Sequence, residues 1–264
     1  MKRWLFFTYG TASYLLFFAL YAYMACFVGG FAIPHTIDSP AGGAVAPAVA
    51  VNVALLLLFG LQHSVMARPW FKSIWTRIVP TPIERSTYMY ASTFALVLLM
   101  WAWRPIDAIV WHVEQPALRT AAWALFVAGW LAVPAVSYLI NHFDLFGMRQ
   151  VWLYLRGREY TSLPFRTPLA YNHVRHPLYV GWTLAFWATP TMTAGHLLFA
   201  IVMTLYMGIA AIFEERDLVA HFGEQYAEYR RRVPMFVPQF TKCVPQIVER
   251  IDEGSLSSVD IMAR

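Results

Sequence analysis

Long apolar blocks alternate with short polar segments along the whole chain. Six blocks stand out, near Trp4–Phe27, Pro47–Met66, Ser86–Trp103, Leu118–Ile140, Leu178–Thr189 and His196–Phe213. At about 1.5 Å per residue, the first four and the last are long enough to cross roughly 30 Å of hydrocarbon. The fifth is short. It joins the sixth through "TPTMTAG" (189–195), a Pro- and Gly-containing turn, so the two predict a tight helical hairpin. The pattern predicts an all-α polytopic membrane protein of five to six transmembrane helices with a cytoplasmic C-terminal helix. The first block is longer than the apolar core of a signal peptide, and no small-residue cleavage site follows it, so it reads as a retained span.

The polar segments give an orientation. Segment 67–85 carries Arg68, Lys72, Arg77 and Arg85 against Glu84 alone, and segment 141–176 carries Arg149, Arg156, Arg158, Arg166 and Arg175 against Asp144 and Glu159. Segments 28–46 and 104–117 share one basic residue, Arg104. Basic loops stay in the cytoplasm. With six crossings, the N-terminus, both basic loops and the tail then fall on that side. The working face is expected toward the cytoplasm.

Composition agrees. Hydrophobic residues make up 59% and charged residues 13%, against roughly a quarter charged in soluble domains. The net charge of +5 reports topology and does not point to nucleic acid. Cys26 and Cys243 fall on opposite sides of the membrane, which argues against a bridge and leaves no metal cluster. Many tryptophans sit at span ends, as interfacial belts do. The chain divides into N-terminal transmembrane helices (1–140), a core (141–238) and a polar tail (239–264).

Polar groups at the edge of lipid are costly and mark chemistry. Three stretches qualify. In "VRHPLYVGW" (174–182), Pro177 suits the first turn of a helix, whose free N–H groups and partial positive charge stand beside Arg175 and His176. That corner can hold a carboxylate or phosphate. Gly181 allows a ligand or a neighbouring helix to approach. The stretch also suits an interfacial anchor. In "FEERDL" (213–218), Glu214 and Glu215 end an apolar run, where acids oppose the helix dipole unless a cation answers them. A solvated helix end is the plain alternative. In "NHFDLFGMRQVW" (141–152), His142, Asp144 and Arg149 mix with aromatics, as a site or as a re-entrant turn. His63, within a span, is either structural or functional. Residues 218–238 read as one amphipathic helix, with Leu218, Phe222, Tyr226 and Tyr229 at helical spacing, lying on lipid or over a site.

Together, "RHPLYVG" (175–181), the hairpin, "EERDL" (214–218) and "FGEQYAEYRRRVPMFVP" (222–238) resemble the C-terminal core of the isoprenylcysteine carboxyl methyltransferase and phospholipid methyltransferase superfamily. The stretches 9–39, 61–88 and 141–152 narrow the resemblance to bacterial methanethiol S-methyltransferases. Nitric-oxide-response membrane proteins share part of the N-terminal pattern.

The resemblance implies a site for S-adenosyl-L-methionine built from His176, Pro177, Tyr179, Gly181, Glu214 and Glu215, with Arg175 beside them. It implies a small thiol, methanethiol, as acceptor and dimethyl sulfide as product. Because the thiolate is the nucleophile, such a site needs a base. His142 and Asp144 are the first candidates, with His63 and His173 behind them, and Arg149 steadies the thiolate. Alternatives are methylation of a prenyl-cysteine or phospholipid by the same core, an NADPH-dependent membrane reductase, and a scaffold or transporter without catalysis.

Overall fold

The computed structural model describes residues 1–239, and the expected tail and Cys243 lie outside them. In chain order the elements are α1 (Lys2–Gly29), α2 (Val45–Ala67), α3 (Pro69–Trp75), α4 (Thr81–Ala102), β1 (Ile109–His112), α5 (Pro116–Ile140), α6 (His142–Leu145), α7 (Met148–Leu155), α8 (Pro177–Trp187), β2 (Thr191–Thr193), α9 (Ala194–Phe222) and α10 (Glu224–Arg232). The protein is an all-α bundle with one two-stranded ribbon among the described residues.

α1, α2, α5 and α9 are long and apolar enough to cross a membrane. α4 has 22 residues and spans a similar length, but its first half is polar. Ser86, Ser92 and Thr93 there are almost fully enclosed, so that polarity faces the inside of the bundle. Apolar side chains from α1, α2, α4, α5, α8 and α9 form the main core, including Phe27, Leu56, Leu99, Phe126, Ala185 and Phe199.

The fifth block departs from a simple hairpin. α8 has 11 residues, about 16 Å at 1.5 Å per residue, roughly half the hydrocarbon. The chain then runs extended, and β2 pairs antiparallel with β1. The ribbon supplies the hydrogen bonds that this extended backbone needs away from water. The same end of the bundle is tied by side chains. Asp38 accepts from Thr193 Oγ1 (2.6 Å) and faces His196 Nδ1 (3.2 Å), while His196 Nε2 meets the Phe186 carbonyl at 3.0 Å. Asn52 brackets the backbone of Arg104 at 2.7 and 2.9 Å.

The other end collects the basic segments, α3, α6, α7 and α10. Two expectations change here. Residues 218–238 are not one helix: α9 runs on through the acid pair to Phe222, and Gly223, at φ +60°, breaks it from α10. Glu214 and Glu215 therefore lie inside α9, two turns before its end. Segment 141–152 is not a loop but the short α6 followed by α7, joined at Phe146 and Gly147.

α8 is held chiefly by α5. A Cβ on Gly129 would stand 2.5 Å from Ala185 N and 2.9 Å from Gly181 O, both backbone atoms. Only glycine permits so close a crossing. Gly181 faces Gly129, Ala132 and Val133 of α5, so of the two approaches its sequence allowed, the neighbouring helix is the one observed.

Candidate active site

The site begins at the start of α8. His176 stands at its N-cap and Pro177 opens its first turn, fixing where the chain enters the helix. Arg175 and His176 project from this corner onto α9. Arg175 Nε meets Glu215 Oε1 at 2.6 Å and Nη2 meets Oε2 at 3.2 Å, a two-pronged contact. His176 Nε2 stands 3.1 Å from the same Glu215 Oε1. Arg175 and His176 thus answer an acid that would otherwise be unpaired in the helix interior. Glu215 is 3% exposed, and a charge so enclosed needs such partners.

Glu214 behaves differently. It accepts from Tyr179 Oη at 3.0 Å, and its side chain keeps 46% of its surface open. The rings of His176 and Tyr179 lie parallel, 7° apart, with centroids at 5.2 Å. One acid of the pair locks the corner. The other is presented beside a phenol and a stacked aromatic pair.

The chain after α10 closes this corner. Arg175 N–H donates to Pro234 O (2.9 Å), His176 N–H to Met235 O (3.2 Å) and Gln239 N–H to His173 O (3.1 Å). Arg175 Nη1 also donates to the carbonyls of Arg230 (2.9 Å) and Val233. Phe236 lies against His176 at 5.8 Å between centroids. His173 Nδ1 meets Gln239 O at 2.9 Å, which places His173 in this strap. Beneath it Tyr226, Tyr229 and Val233 pack with Phe165 and Phe222, and burial pushes the Tyr226 and Tyr229 phenols above their ordinary range.

The corner fits a ligand with a cationic end: it offers a half-open carboxylate, a phenol and an aromatic face. Asn172 Oδ1 and Thr167 Oγ1, in the segment leading to it, are enclosed without a hydrogen-bond partner, and such atoms mark polar groups waiting for a counterpart.

The other expected residues gather elsewhere. His142 is 3% exposed. Its ring lies flat on Tyr138, with centroids 3.8 Å apart. Ser137 Oγ donates to Pro134 O (2.7 Å), so toward His142 Nδ1 (2.7 Å) it accepts. Nδ1 therefore carries the proton, and Nε2 accepts from Tyr14 Oη at 2.7 Å. Burial holds this imidazole below its ordinary pKa. Asp144 pairs with Arg149 at 3.0 Å and takes Tyr160 Oη at 3.2 Å. The 620 Å³ hollow beside them is lined from Phe7, from Tyr138 and from the segment Asn141–Trp152, with no residue of α8, α9 or α10. His142, Asp144 and Arg149 gather here, and Asp144 also lines a second hollow of 770 Å³ that reaches Phe222 of α9.

His63, inside α2, meets Tyr88 Oη at 2.8 Å and Ser92 Oγ at 3.0 Å. Tyr88, Ser92 and Tyr206 escaped the sequence reading. A signal was present in the polar first half of the third block, where Ser86 and Thr93, seven residues apart, share one helix face and Tyr88 and Ser92, four apart, share another.

No protein-family model and no solved structure matches the chain. Among curated proteins, a methanethiol S-methyltransferase of Mycobacterium tuberculosis is 52% identical over 238 residues, covering 90% of this chain and 98% of that protein. One from Crocosphaera subtropica is 48% identical over 230 residues, 87% of this chain and 90% of that protein. Human nurim is 32% identical over 179 residues, 64% of this chain and 68% of that protein. Such identity is sustained over nearly the full length of the first two. The chain belongs to the methanethiol S-methyltransferase family.

Proposed function

We propose that the protein transfers a methyl group from S-adenosyl-L-methionine to methanethiol, releasing dimethyl sulfide, with its α8–α9 corner facing the cytoplasm of a bacterial inner membrane. The near full-length match to proteins named for this substrate carries the reading. The charge pattern of segments 67–85 and 141–176 supports the orientation.

When bound, S-adenosyl-L-methionine supplies a methyl group on a positively charged sulfur that departs neutral, so no general acid is needed. Glu214 faces the cationic part of the ligand, and Tyr179 holds that carboxylate in place. Glu215, already engaged by Arg175 and His176, keeps the corner in shape. The 234–239 strap holds Arg175 and His176, whose contacts to Glu215 lie away from water and are the stronger for it.

The test uses purified protein in detergent with S-adenosyl-L-methionine and methanethiol, reading headspace dimethyl sulfide. Dimethyl sulfide and S-adenosylhomocysteine in equal amounts are expected. Methylation of a prenyl-cysteine or phospholipid without dimethyl sulfide overturns the acceptor. Binding of NADPH in place of S-adenosyl-L-methionine overturns methyl transfer.

A further inference from the structure

A hollow of 770 Å³ opens at the end of the bundle that gathers the basic segments, and methyl transfer uses none of its lining. Its volume is that of a small-molecule site. Arg3 of α1, Lys72 of α3, Arg85 of α4, and Arg158 and Arg166 after α7 all line it. Among the described residues none of these five forms an ion pair. Three acids share the lining, Glu84, Asp144 and Glu159, and Asp144 is already answered by Arg149. Retention of basic loops in the cytoplasm needs only their number. It does not require cations from separate segments to converge on one hollow. Arg77 and Arg156, from the same basic segments, do not line it, and Arg156 lies over Trp152 instead.

The walls hold this arrangement. Arg149 donates to Thr161 O at 2.8 Å and to Thr161 Oγ1 at 3.0 Å, and Tyr160 Oη donates to Asp144 Oδ2 at 3.2 Å. These bonds tie the segment that carries Arg158 and Arg166 to α6 and α7. Gly157 turns there at φ +69°, and a Cβ on it would stand 2.9 Å from Arg3 Nη1, so glycine admits that guanidinium. Arg85 Nε is anchored on the Leu145 carbonyl at 2.9 Å. Lys72 has no side-chain hydrogen bond among the described residues. Burial, and after it the Arg85 guanidinium, holds the Lys72 ammonium below its ordinary range, and Glu84 offsets them only in part. A bound anion would relieve both. Gln150 also lines the hollow. Its Nε2 donates to Asp144 O at 3.2 Å, while its Oε1 is enclosed without a partner and calls for a donor. Ile140, the last residue of α5, lines the hollow too and is 40% exposed. The hollow thus opens at the end of a helix apolar enough to cross a membrane.

We propose that this hollow binds the head group of an anionic glycerophospholipid, with Lys72 and Arg85 on the phosphodiester, Arg3, Arg158 and Arg166 around it, and Gln150 Oε1 accepting from a head-group hydroxyl. Lysine and arginine are the side chains suited to phosphate, and basic pockets at the ends of spanning helices take acidic lipids. Ile140 favours a lipid over free phosphate, because acyl chains can continue past it along α5 into hydrocarbon. Binding there uses neither Glu214 nor Tyr179, so it stands whether or not methyl transfer does.

Full-length protein, stripped of lipid in detergent, receives phosphatidylglycerol, phosphatidylmethanol or phosphatidylcholine with the same acyl chains, or inorganic phosphate at the same concentration. Bound lipid is read by native mass spectrometry and affinity by thermophoresis. Phosphatidylglycerol is expected to bind about tenfold tighter than phosphatidylcholine, with phosphatidylmethanol, equally charged but without hydroxyls, in between. Lys72→Gln and Arg85→Gln each weaken phosphatidylglycerol about tenfold, the worth of one charge-assisted contact, while Arg77→Gln and Arg156→Gln match wild type. Equal affinity for phosphatidylcholine overturns the site. So does an equal loss in Arg77→Gln and Arg156→Gln, because diffuse surface charge would then suffice. Displacement of the lipid by equimolar inorganic phosphate overturns lipid as the occupant, and equal affinity for phosphatidylmethanol overturns the Gln150 contact. Should Arg85→Gln not fold for want of its bond to Leu145, Lys72→Gln decides, since the Lys72 side chain has no such bond to lose.

Discussion

Glu214 and Glu215 are neighbours in the chain with separate duties, and substitution should pull them apart. Glu215→Gln leaves Arg175 and His176 beside a neutral amide in an enclosed place. Breaking a buried pair in this way costs about 3 kcal/mol or more, and the expected result is a clear fall in Tm by scanning fluorimetry. Glu214→Gln, at a half-open position, is expected to leave Tm near wild type and to weaken S-adenosyl-L-methionine binding about tenfold by calorimetry, the worth of one charge-assisted contact. His142 carries a pH signature. Burial lowers its folded pKa below the ordinary 6.5, so above that pH the ring is neutral whether folded or unfolded. As pH falls below it, the unfolded chain takes up a proton that the folded ring resists, and stability declines. The slope of Tm against pH between about 6.5 and 4.5 should be shallower in His142→Gln than in wild type; equal slopes would sink the assignment. The acid pair was visible in the sequence. Its partners were not, because Arg175 and Glu215 are 40 residues apart and nothing local links them.

Between elements, the crossing of α5 and α8 sets where the corner sits. Gly129→Val puts side-chain atoms where Ala185 and Gly181 backbone already stands. Neither backbone can move without unseating α8. We expect a destabilisation of about 1–3 kcal/mol, read as lower Tm, together with weaker cofactor binding, because His176 and Tyr179 ride on α8. Gly181→Ala meets its nearest atoms at 3.2–3.4 Å, two of them side-chain carbons, and should be milder on both measures. The long helices were legible because length and apolar content are local properties. The strand after α8 was not: residues 189–195 read as a Pro- and Gly-containing turn, but the backbone of 191–193 pairs with β1, some 80 residues earlier. The run of α9 past the acid pair was likewise hidden, since its support comes from Arg175 and His176. The helical form of 141–152 was obscured by its short length and by Gly147.

Across the whole molecule, polarity is sorted by end and by depth. One end is sewn together by Asp38, Thr193 and His196, and by the ribbon. The opposite end gathers the basic segments and the corner. Polar groups of α2 and α4 lie between, inside the bundle. Charge sorting was readable from the basic residues alone, since it needs only their position between apolar blocks. The grouping of expected site residues was only partly readable. Arg175, His176, Tyr179, Glu214 and Glu215 do meet, and His173 sits in the strap beside them, while His142, Asp144 and Arg149 form their own cluster. Finally, the strap is gripped by main chain: Arg175 and His176 find carbonyls of residues 230, 233, 234 and 235, and the side chains of those positions play no part in these bonds. Met235 is therefore freer to vary than the strap's length, while Val233 and Phe236 are held by their packing. Single substitutions at Met235 should be nearly silent in cofactor affinity. Deleting one residue within Glu224–Arg232 should abolish it, because every carbonyl beyond would arrive one step out of register with α8.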